Sequence, residues 1–296
     1  MVYGCTNKML RVNLHKEEIR VEEEAARSNL GESIQIKCTG CHGFCQRGLL
    51  IVIEPEGIFY SKVKPDDIPE LVGSLLPEGK PVERLFYCHP ATDKPIPYYR
   101  DIPFYNKQQR TVLRNCGNID PEDIGDSLAV SGYQALRKAL LEMPPEQIID
   151  EVKRSGLRGL GGAGFPSGRK WEACRTAPGE EKYVICNGDE GDPGAFQDRS
   201  VMEGDPHSVL EGMIITGYAI GAKHGFIYVR AEYPLAVKRL RIAITQAREK
   251  GFLFANGRNR RFHYTFRHSF PESSLRGLHQ PLLLQALDCP SRLVLP

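Results

Sequence analysis

The sequence predicts an α/β protein in which a small N-terminal α/β domain is followed by a domain built on a parallel sheet. Strand-like apolar runs flank a cysteine-rich turn in residues 33–61, and strand and helix patterns alternate over residues 183–251. Strand–helix–strand units of this length favour parallel strands with right-handed crossovers. A glycine-rich run over residues 156–171, GLRGLGGAGFPSGRKW, precedes that alternation.

Composition limits the classes of function. The chain has 296 residues, of which 41% are hydrophobic and 26% charged, as in ordinary globular proteins. A net charge of +2 provides no concentrated basic face for nucleic acid. No apolar run approaches the roughly 18 residues of a membrane span, and the first residues lack the apolar stretch of a signal peptide. We therefore predict a cytoplasmic protein with no nucleic-acid partner and no direct membrane insertion.

The N-terminal part predicts a helical leader and a small domain. The leader comprises residues 1–30, of which residues 11–30 are rich in Glu and Arg with interspersed Val and Leu, a helical pattern. Residues 31–88 carry the strand patterns SIQIKC and LLIVIEPEGIFY, the second with PEG as a hairpin turn. A short helix opens at Pro65, where the two following aspartates suit the helix dipole.

The rest of the chain predicts a connector, a second domain and a tail. Residues 89–150 begin as a proline-rich linker and continue as two helices. Residues 151–253 contain the strands YVICN and GFIYVR, each followed by a helical pattern, so functional loops are expected at the carboxyl ends of these strands. Residues 254–296 have six arginines and no lysine, and predict an atypical, disordered tail. A change of reading frame would explain this composition, and a basic nucleic-acid arm is the alternative.

Three of the nine cysteines, Cys38, Cys41 and Cys45, lie close enough in sequence to act as ligands. Disulfides are not expected in a reducing compartment. The remaining cysteines are predicted to be small buried hydrophobes: Cys5, Cys88, Cys116, Cys174, Cys186 and Cys289.

The glycine-rich run suits a phosphate and a flat ring. Glycine allows positive φ, so backbone N–H groups can converge on an anion, and the helix that starts near Ser167 adds its positive dipole end. Arg158, Arg169 and Lys170 supply positive charge nearby. The run matches neither the P-loop nor the strand-first dinucleotide pattern. A mobile surface loop is the alternative interpretation.

A second polar stretch, CNGDEGDPGAFQDRS at residues 186–200, directly follows the strand YVICN. An amide and several carboxylates at a strand end can hydrogen-bond ribityl or ribose hydroxyls and the edge of a flavin. Solvated turns and magnesium sites use the same residue types. Because the glycine-rich run is close in sequence, nucleotide or flavin binding is the preferred interpretation.

The two stretches together resemble the flavin-bearing, NADH-oxidising subunit of respiratory complex I, and more closely the equivalent subunits of NAD(P)-dependent hydrogenases and formate dehydrogenases. TGCHGFCQRGLLIVIEPEGIFY is similar to the thioredoxin-like ferredoxin domain of those proteins. The resemblance covers roughly residues 34–253 and not the tail. It implies a thioredoxin-like N-terminal domain, a partial Rossmann-like flavin-binding domain and a truncated chain.

The resemblance also implies roles for particular residues. The loop along flavin mononucleotide (FMN) would consist of Gly159, Gly161, Gly162, Ala163 and Gly164. Phe165 would stack on the nicotinamide dinucleotide and Lys170 would face a phosphate. Asn187 and Asp189 would hydrogen-bond the flavin, and Glu190 and Asp192 would lie on the nucleotide side. No side-chain general base is required, because the cofactors perform the redox chemistry.

Two departures from the family pattern concern its cofactors. Leu160 stands where the family usually has arginine. A [2Fe–2S] centre needs four thiolates, and only Cys41 and Cys45 match the family's ligands, while the expected [4Fe–4S] ligands are absent from this sequence. The predicted function is NAD(P)H oxidation by an FMN subunit within a multi-subunit oxidoreductase. The alternatives are a redox-inactive docking or assembly module and a simple nucleotide-phosphate binder.

Overall fold

A computed structural model of the chain describes residues 8–12, 27–28, 34–159, 164–192, 194–255, 260–261 and 263–268. The chain divides into two compact units, Met1–Pro121 and Glu122–Pro296. Both units contain helices and strands, so the α/β class is confirmed at this level.

The N-terminal unit is built on a four-stranded sheet of order β2-β1-β3-β4. Its strands are β1 (Lys8–Val12), β2 (Ile34–Cys38), β3 (Ile51–Glu54) and β4 (Ile58–Tyr60). β1 runs parallel to β2 and antiparallel to β3. The structure differs from the predicted helical leader, because residues 8–12 form a strand. The partners of this strand, β2 and β3, are distant in sequence, and a local helix pattern cannot indicate such contacts. Residues 1–7, 13–26 and 29–30 of the leader lie outside the described residues.

Side chains of β3 alternate between two apolar layers. Ile51 and Ile53 pack in the layer that includes helix α1 (Ile68–Gly73), whereas Val52 packs with Phe59 in the other layer. This alternation is what a strand buried on both faces requires.

The predicted linker differs from the structure. Its residues form strand β6 (Pro95–Ile96), which pairs with β5 (Tyr87–Cys88) just before the linker, and the short helix α2 (Pro103–Asn106). Ile102 and Tyr105 from this segment are buried in the layer of Val52 and Phe59. Prolines are compatible with short paired segments and helix starts, so proline content alone misidentified a packed segment.

The C-terminal unit contains a parallel sheet of order β11-β8-β7, with helices following its first two strands. Its strands are β7 (Tyr183–Gly188), β8 (His224–Val229) and β11 (His263–His268), and a separate pair is formed by β9 (Phe254–Ala255) and β10 (Arg260–Arg261). Its helices are α3 (Ile124–Ala129), α4 (Gln134–Glu142), α5 (Pro145–Arg154), α6 (Ser167–Thr176), α7 (Gln197–Gly204), α8 (Pro206–Ile220) and α9 (Pro234–Glu249).

The main core of this unit lies between the sheet and helices α7, α8 and α9. Val184, Ile227 and Val229 are buried there beside Leu210 and Leu240. The prediction of two parallel strands with helical crossovers is therefore confirmed for β7 and β8.

The structure differs from the predicted disordered tail at residues 263–268, which form strand β11. β11 pairs in parallel with β8 from His263↔His224 to His268↔Val229. Residues 269–296 lie outside the described residues. None of the helices in the described ranges combines the length and apolar content needed to cross a bilayer.

Candidate functional site

The glycine-rich loop is closed at its base by a short antiparallel ladder. The Gly159 N–H donates to the Phe165 carbonyl at 3.0 Å, and the Ser167 N–H donates to the Leu157 carbonyl at 2.9 Å. Arg158 adds a bond from Nη1 to the Gly164 carbonyl at 3.0 Å. The tip residues Leu160, Gly161, Gly162 and Ala163 lie outside the described residues. The ladder joins the described residues that precede the tip to those that follow it.

Gly164 has φ of 61°, in the left-handed region that favours glycine. The next residue, Phe165, leaves 54% of its surface exposed. An exposed aromatic ring beside a positive-φ glycine provides a face on which a planar ligand can stack.

Helix α6 begins directly after the loop and brings two cations with it. Arg169 and Lys170 are exposed in its first turn. No acidic partner within the described ranges forms an ion pair with either side chain. Two uncompensated cations beside a helix N-terminus favour an anionic group.

Close contact with α5 fixes the position of α6. Gly168 is buried, and a Cβ atom at this position would lie 2.6 Å from the backbone nitrogen of Lys153. Lys153 also pairs with Glu172 of α6. The base of the loop is therefore attached to a rigid helix pair.

The second polar stretch begins where β7 ends. Asn187 Oδ1 accepts a hydrogen bond from the Asp189 N–H at 3.0 Å, which turns the chain out of the sheet. The Asn187 side-chain NH₂ has no hydrogen-bond partner in the described part of the chain, and the residue is exposed. This NH₂ group can donate to a ligand.

Glu190 caps helix α7. Its carboxylate accepts hydrogen bonds from the backbone N–H groups of Gln197 at 2.8 Å and Asp198 at 3.1 Å. Burial, followed by the negative charge of Glu190, raises the pKa of Asp198. The Glu190 carboxylate is thus committed to the helix, and Asp192 remains as an exposed acid of this loop.

Arg230 also lies at this site, although the sequence analysis does not include it among the candidate site residues. It follows β8, and the register Gly188↔Val229 puts it beside Asp189 at the carboxyl edge of the sheet. Its Nη1 donates to the Glu190 carbonyl at 2.9 Å, and its Nε lies 3.6 Å from Asp189 Oδ1. The sequence signal was the final arginine of GFIYVR, because neighbouring parallel strands end at the same edge.

The structure assembles each stretch separately. Gly159, Gly164 and Phe165 meet at the loop base, whereas Asn187, Asp189 and Glu190 form the strand end with Arg230. Among the described residues, no hydrogen bond or ion pair joins these two groups. Both belong to the unit Glu122–Pro296.

The cysteine turn lies in the other unit. Cys41 Sγ accepts a bond from the Gly43 N–H at 3.2 Å, and Cys45 is exposed at the start of a 3₁₀ turn. Burial raises the pKa of Tyr105, and the neighbouring groups Tyr99, Cys41 and Cys45 raise it further. The described residues contain no group of three or more His, Cys, Asp or Glu side chains arranged to hold a metal ion.

The C-terminal region is similar to a known protein family. Residues 152–278 match the family model of the Nuo51 FMN-binding domain. The match includes both polar stretches and extends past residue 253, so the prediction that the resemblance excludes the tail is wrong for residues 254–278.

Three relatives illustrate the similarity. A subunit of the NADP-reducing hydrogenase of Solidesulfovibrio fructosivorans is 59% identical over 51% of this chain and 30% of its own length. An NADH-quinone oxidoreductase subunit of Aquifex aeolicus is 54% identical over 49% of this chain and 34% of its own. The alpha subunit of the NAD-reducing hydrogenase of Cupriavidus necator is 30% identical over 85% of this chain and 40% of its own. The predicted resemblance is therefore confirmed, and the chain spans about a third of the length of these curated relatives.

Proposed function

We propose that this chain is the FMN-binding part of an NADH- or NADPH-oxidising subunit in a multi-subunit oxidoreductase. The observation that carries the proposal is the match of residues 152–278 to the Nuo51 FMN-binding domain, within which both polar stretches fall. Relatives named as NADH-quinone oxidoreductase and NAD(P)-reducing hydrogenase subunits support the reaction class.

The described residues fit FMN. The anchored backbone of the loop base offers a flat surface, while Arg169 and Lys170 offer positive charge for the phosphate. The Asn187 NH₂ group is available as a donor at the strand end. A planar, phosphate-bearing ring system needs these three features together.

We assign the site residues accordingly. The backbone of Gly159, Gly161, Gly162, Ala163 and Gly164 would lie along the flavin. Lys170 faces the phosphate, and Asn187 with Asp189 orients the flavin edge. Phe165 stacks on the nicotinamide dinucleotide, and Asp192 lies on its side. The Glu190 carboxylate shapes the nucleotide side indirectly, because it caps α7.

The residues of this site act by binding and orientation. Bound FMN would supply the redox chemistry, namely acceptance of a hydride from the nicotinamide and one-electron release to further centres. The loop and Phe165 would align the flavin ring with the nicotinamide ring. Alignment of two reactants lowers the reaction barrier because less entropy is lost when they react.

On the basis of the sequence resemblance, we propose a thioredoxin-like domain for residues 31–88 and a partial Rossmann-like arrangement for residues 151–253.

The cysteine turn of the N-terminal unit has a less complete assignment. Cys41 and Cys45 would be two ligands of a [2Fe–2S] centre. Such a centre needs four, and the described residues do not supply them, so no electron-transfer step is assigned to this turn. Docking to partner subunits is the remaining role of this unit, and a cytoplasmic location stays a prediction.

Titration of FMN fluorescence with the purified full chain tests the proposal. We expect saturable quenching that Lys170→Ala weakens severalfold, because a charge-assisted contact to phosphate is lost. Lys223→Ala is the matched control: it removes another exposed lysine, just before the amino end of β8, and should leave affinity unchanged. Absence of quenching by the unaltered chain would contradict FMN binding, and binding of a partner subunit by that colourless chain would favour the docking module.

A further inference from the structure

Arg230 contacts both residues that follow β7. Its guanidinium donates to the Glu190 carbonyl and approaches the Asp189 carboxylate, and its Nη2 lies 3.3 Å from Glu232. The arginine side chain is 25% exposed, compared with 43% for Asp189. One cation therefore compensates the carboxylates on either side of the strand ends.

The same carbonyl of Glu190 is shared by a second donor. Tyr233 Oη donates to it at 3.4 Å, and the Arg230 guanidinium lies 5.9 Å from the centre of the Tyr233 ring. At the other end of the same residue, the Glu190 carboxylate binds the first N–H groups of α7. Glu190 is thus held through its backbone by the residues that follow β8 and through its side chain by α7, which fixes the turn that carries Asp189.

We propose that Arg230 is a positioning residue for the flavin: it holds the turn of Asp189 and Glu190 in place and compensates the negative charge of Asp189 at the flavin edge. This inference rests on the proposed FMN function. Its basis is the juxtaposition of Arg230 with Asp189 and the Glu190 carbonyl at the carboxyl edge of β7 and β8.

The two parts of this role need different properties of the side chain. Holding the turn needs the planar fork, which directs separate N–H groups to Glu190, Asp189 and Glu232. Charge compensation needs only a cation, so lysine preserves charge but not the fork. Reduced flavin carries more negative charge than oxidised flavin, so loss of the cation should disfavour the reduced form.

The experiment compares Arg230→Gln and Arg230→Lys with Arg175→Gln in the full chain. Arg175 is a matched control because it is 27% exposed and bonds one carboxylate, Glu146, and one backbone carbonyl, that of Ala219. It lies on α6, away from the ends of β7 and β8. Two quantities are measured: amide hydrogen exchange of residues 189–199 without FMN, and the FMN reduction potential by spectroelectrochemistry.

The fork predicts faster exchange over residues 189–199 in both Arg230 variants and not in Arg175→Gln. Loss of the positive charge in Arg230→Gln should weaken the binding of reduced FMN about tenfold relative to oxidised FMN. For a two-electron couple this ratio makes the FMN reduction potential about 30 mV more negative. Arg230→Lys should restore most of that potential. Unchanged exchange in the Arg230 variants, or a potential equal to that of the control, overturns the inference. If the unaltered chain binds no FMN, the proposed function fails, and the exchange data still decide whether Arg230 orders the turn.

Discussion

At the scale of single residues, the charge missing at position 160 gives a direct prediction. Leu160→Arg restores the arginine usual in the resembling family, and one charge-assisted hydrogen bond contributes about 1.5–3 kcal/mol. We therefore expect FMN affinity to rise roughly tenfold or more. An equilibrium fluorescence titration measures the change.

The control for this substitution is Leu157→Arg. Leu157 is exposed just before the loop, so the variant adds the same charge outside the tip. An equal gain in both variants would mean that charge acts generally on the anionic ligand, and no gain in Leu160→Arg would contradict a specific contact.

Residue chemistry was only partly readable from the sequence. Asn187 and Asp189 were placed correctly at the end of β7, because a short apolar strand and the polar residues behind it are adjacent in sequence. The capping by Glu190 and the contacts of Arg230 were not foreseen. Both depend on distances set by the packing of α7 and β8 against β7, which no local pattern contains.

At the scale of elements, the contact between α5 and α6 gives a second prediction. Gly168→Ala places a Cβ atom 2.6 Å from the Lys153 backbone nitrogen, and a backbone atom cannot turn aside as a side chain can. We expect the free energy of unfolding to fall by about 1–3 kcal/mol, as in other overpacked sites. Urea denaturation followed by circular dichroism measures this change.

Gly212→Ala supplies the contrast within the same unit. Gly212 lies in α8 with no atom near the added methyl, so alanine should stabilise the helix by about 0.5–1 kcal/mol. If both substitutions shift stability in the same direction, the close approach of α5 and α6 is not the reason for Gly168.

Element prediction succeeded where contacts are local. The helix patterns of residues 206–222 and 234–251 correspond to α8 and α9, because helical periodicity and glycine ends are encoded locally. The packed segment after Cys88 and strand β11 were missed. Their partners are remote in sequence, as in the bridge Ile58↔Tyr98 and the ladder of β11 with β8.

At the scale of the whole molecule, a buried histidine couples stability to pH. His207 is 1% exposed, its Nδ1 lies 2.8 Å from Tyr133 Oη, and its Nε2 lies 3.0 Å from Gln246 Oε1. Burial lowers the pKa of His207 below its ordinary value, although the hydrogen bond with Gln246 and the nearby charges of Asp205 and Asp123 oppose the shift. The neutral ring satisfies both neighbours, so the folded state disfavours protonation.

The sign of the effect follows from this depressed pKa. As pH falls below about 6.5, the unfolded chain binds a proton at this position and the folded chain does not. The contribution of His207 to the free energy of unfolding is therefore complete above about pH 6.5. It is lost as the pH falls, by no more than about 1.4 kcal/mol per pH unit. Urea unfolding of the parent chain at about pH 7.5 and about pH 5.5, on either side of the ordinary histidine pKa, measures the loss.

His207→Gln isolates this contribution, because glutamine retains hydrogen-bonding groups and does not titrate. We expect the variant to lose less unfolding free energy than the parent between the two pH values. Equal losses would assign the acid sensitivity to carboxylates elsewhere in the chain.

The proposed FMN site requires the glycine-rich loop and the end of β7 to bind one flavin together. This requirement is checked by amide hydrogen exchange of the full chain, with and without saturating FMN. We predict FMN-dependent protection in residues 156–170 and also in residues 187–192. Protection of one stretch alone, or of neither, would contradict the claim.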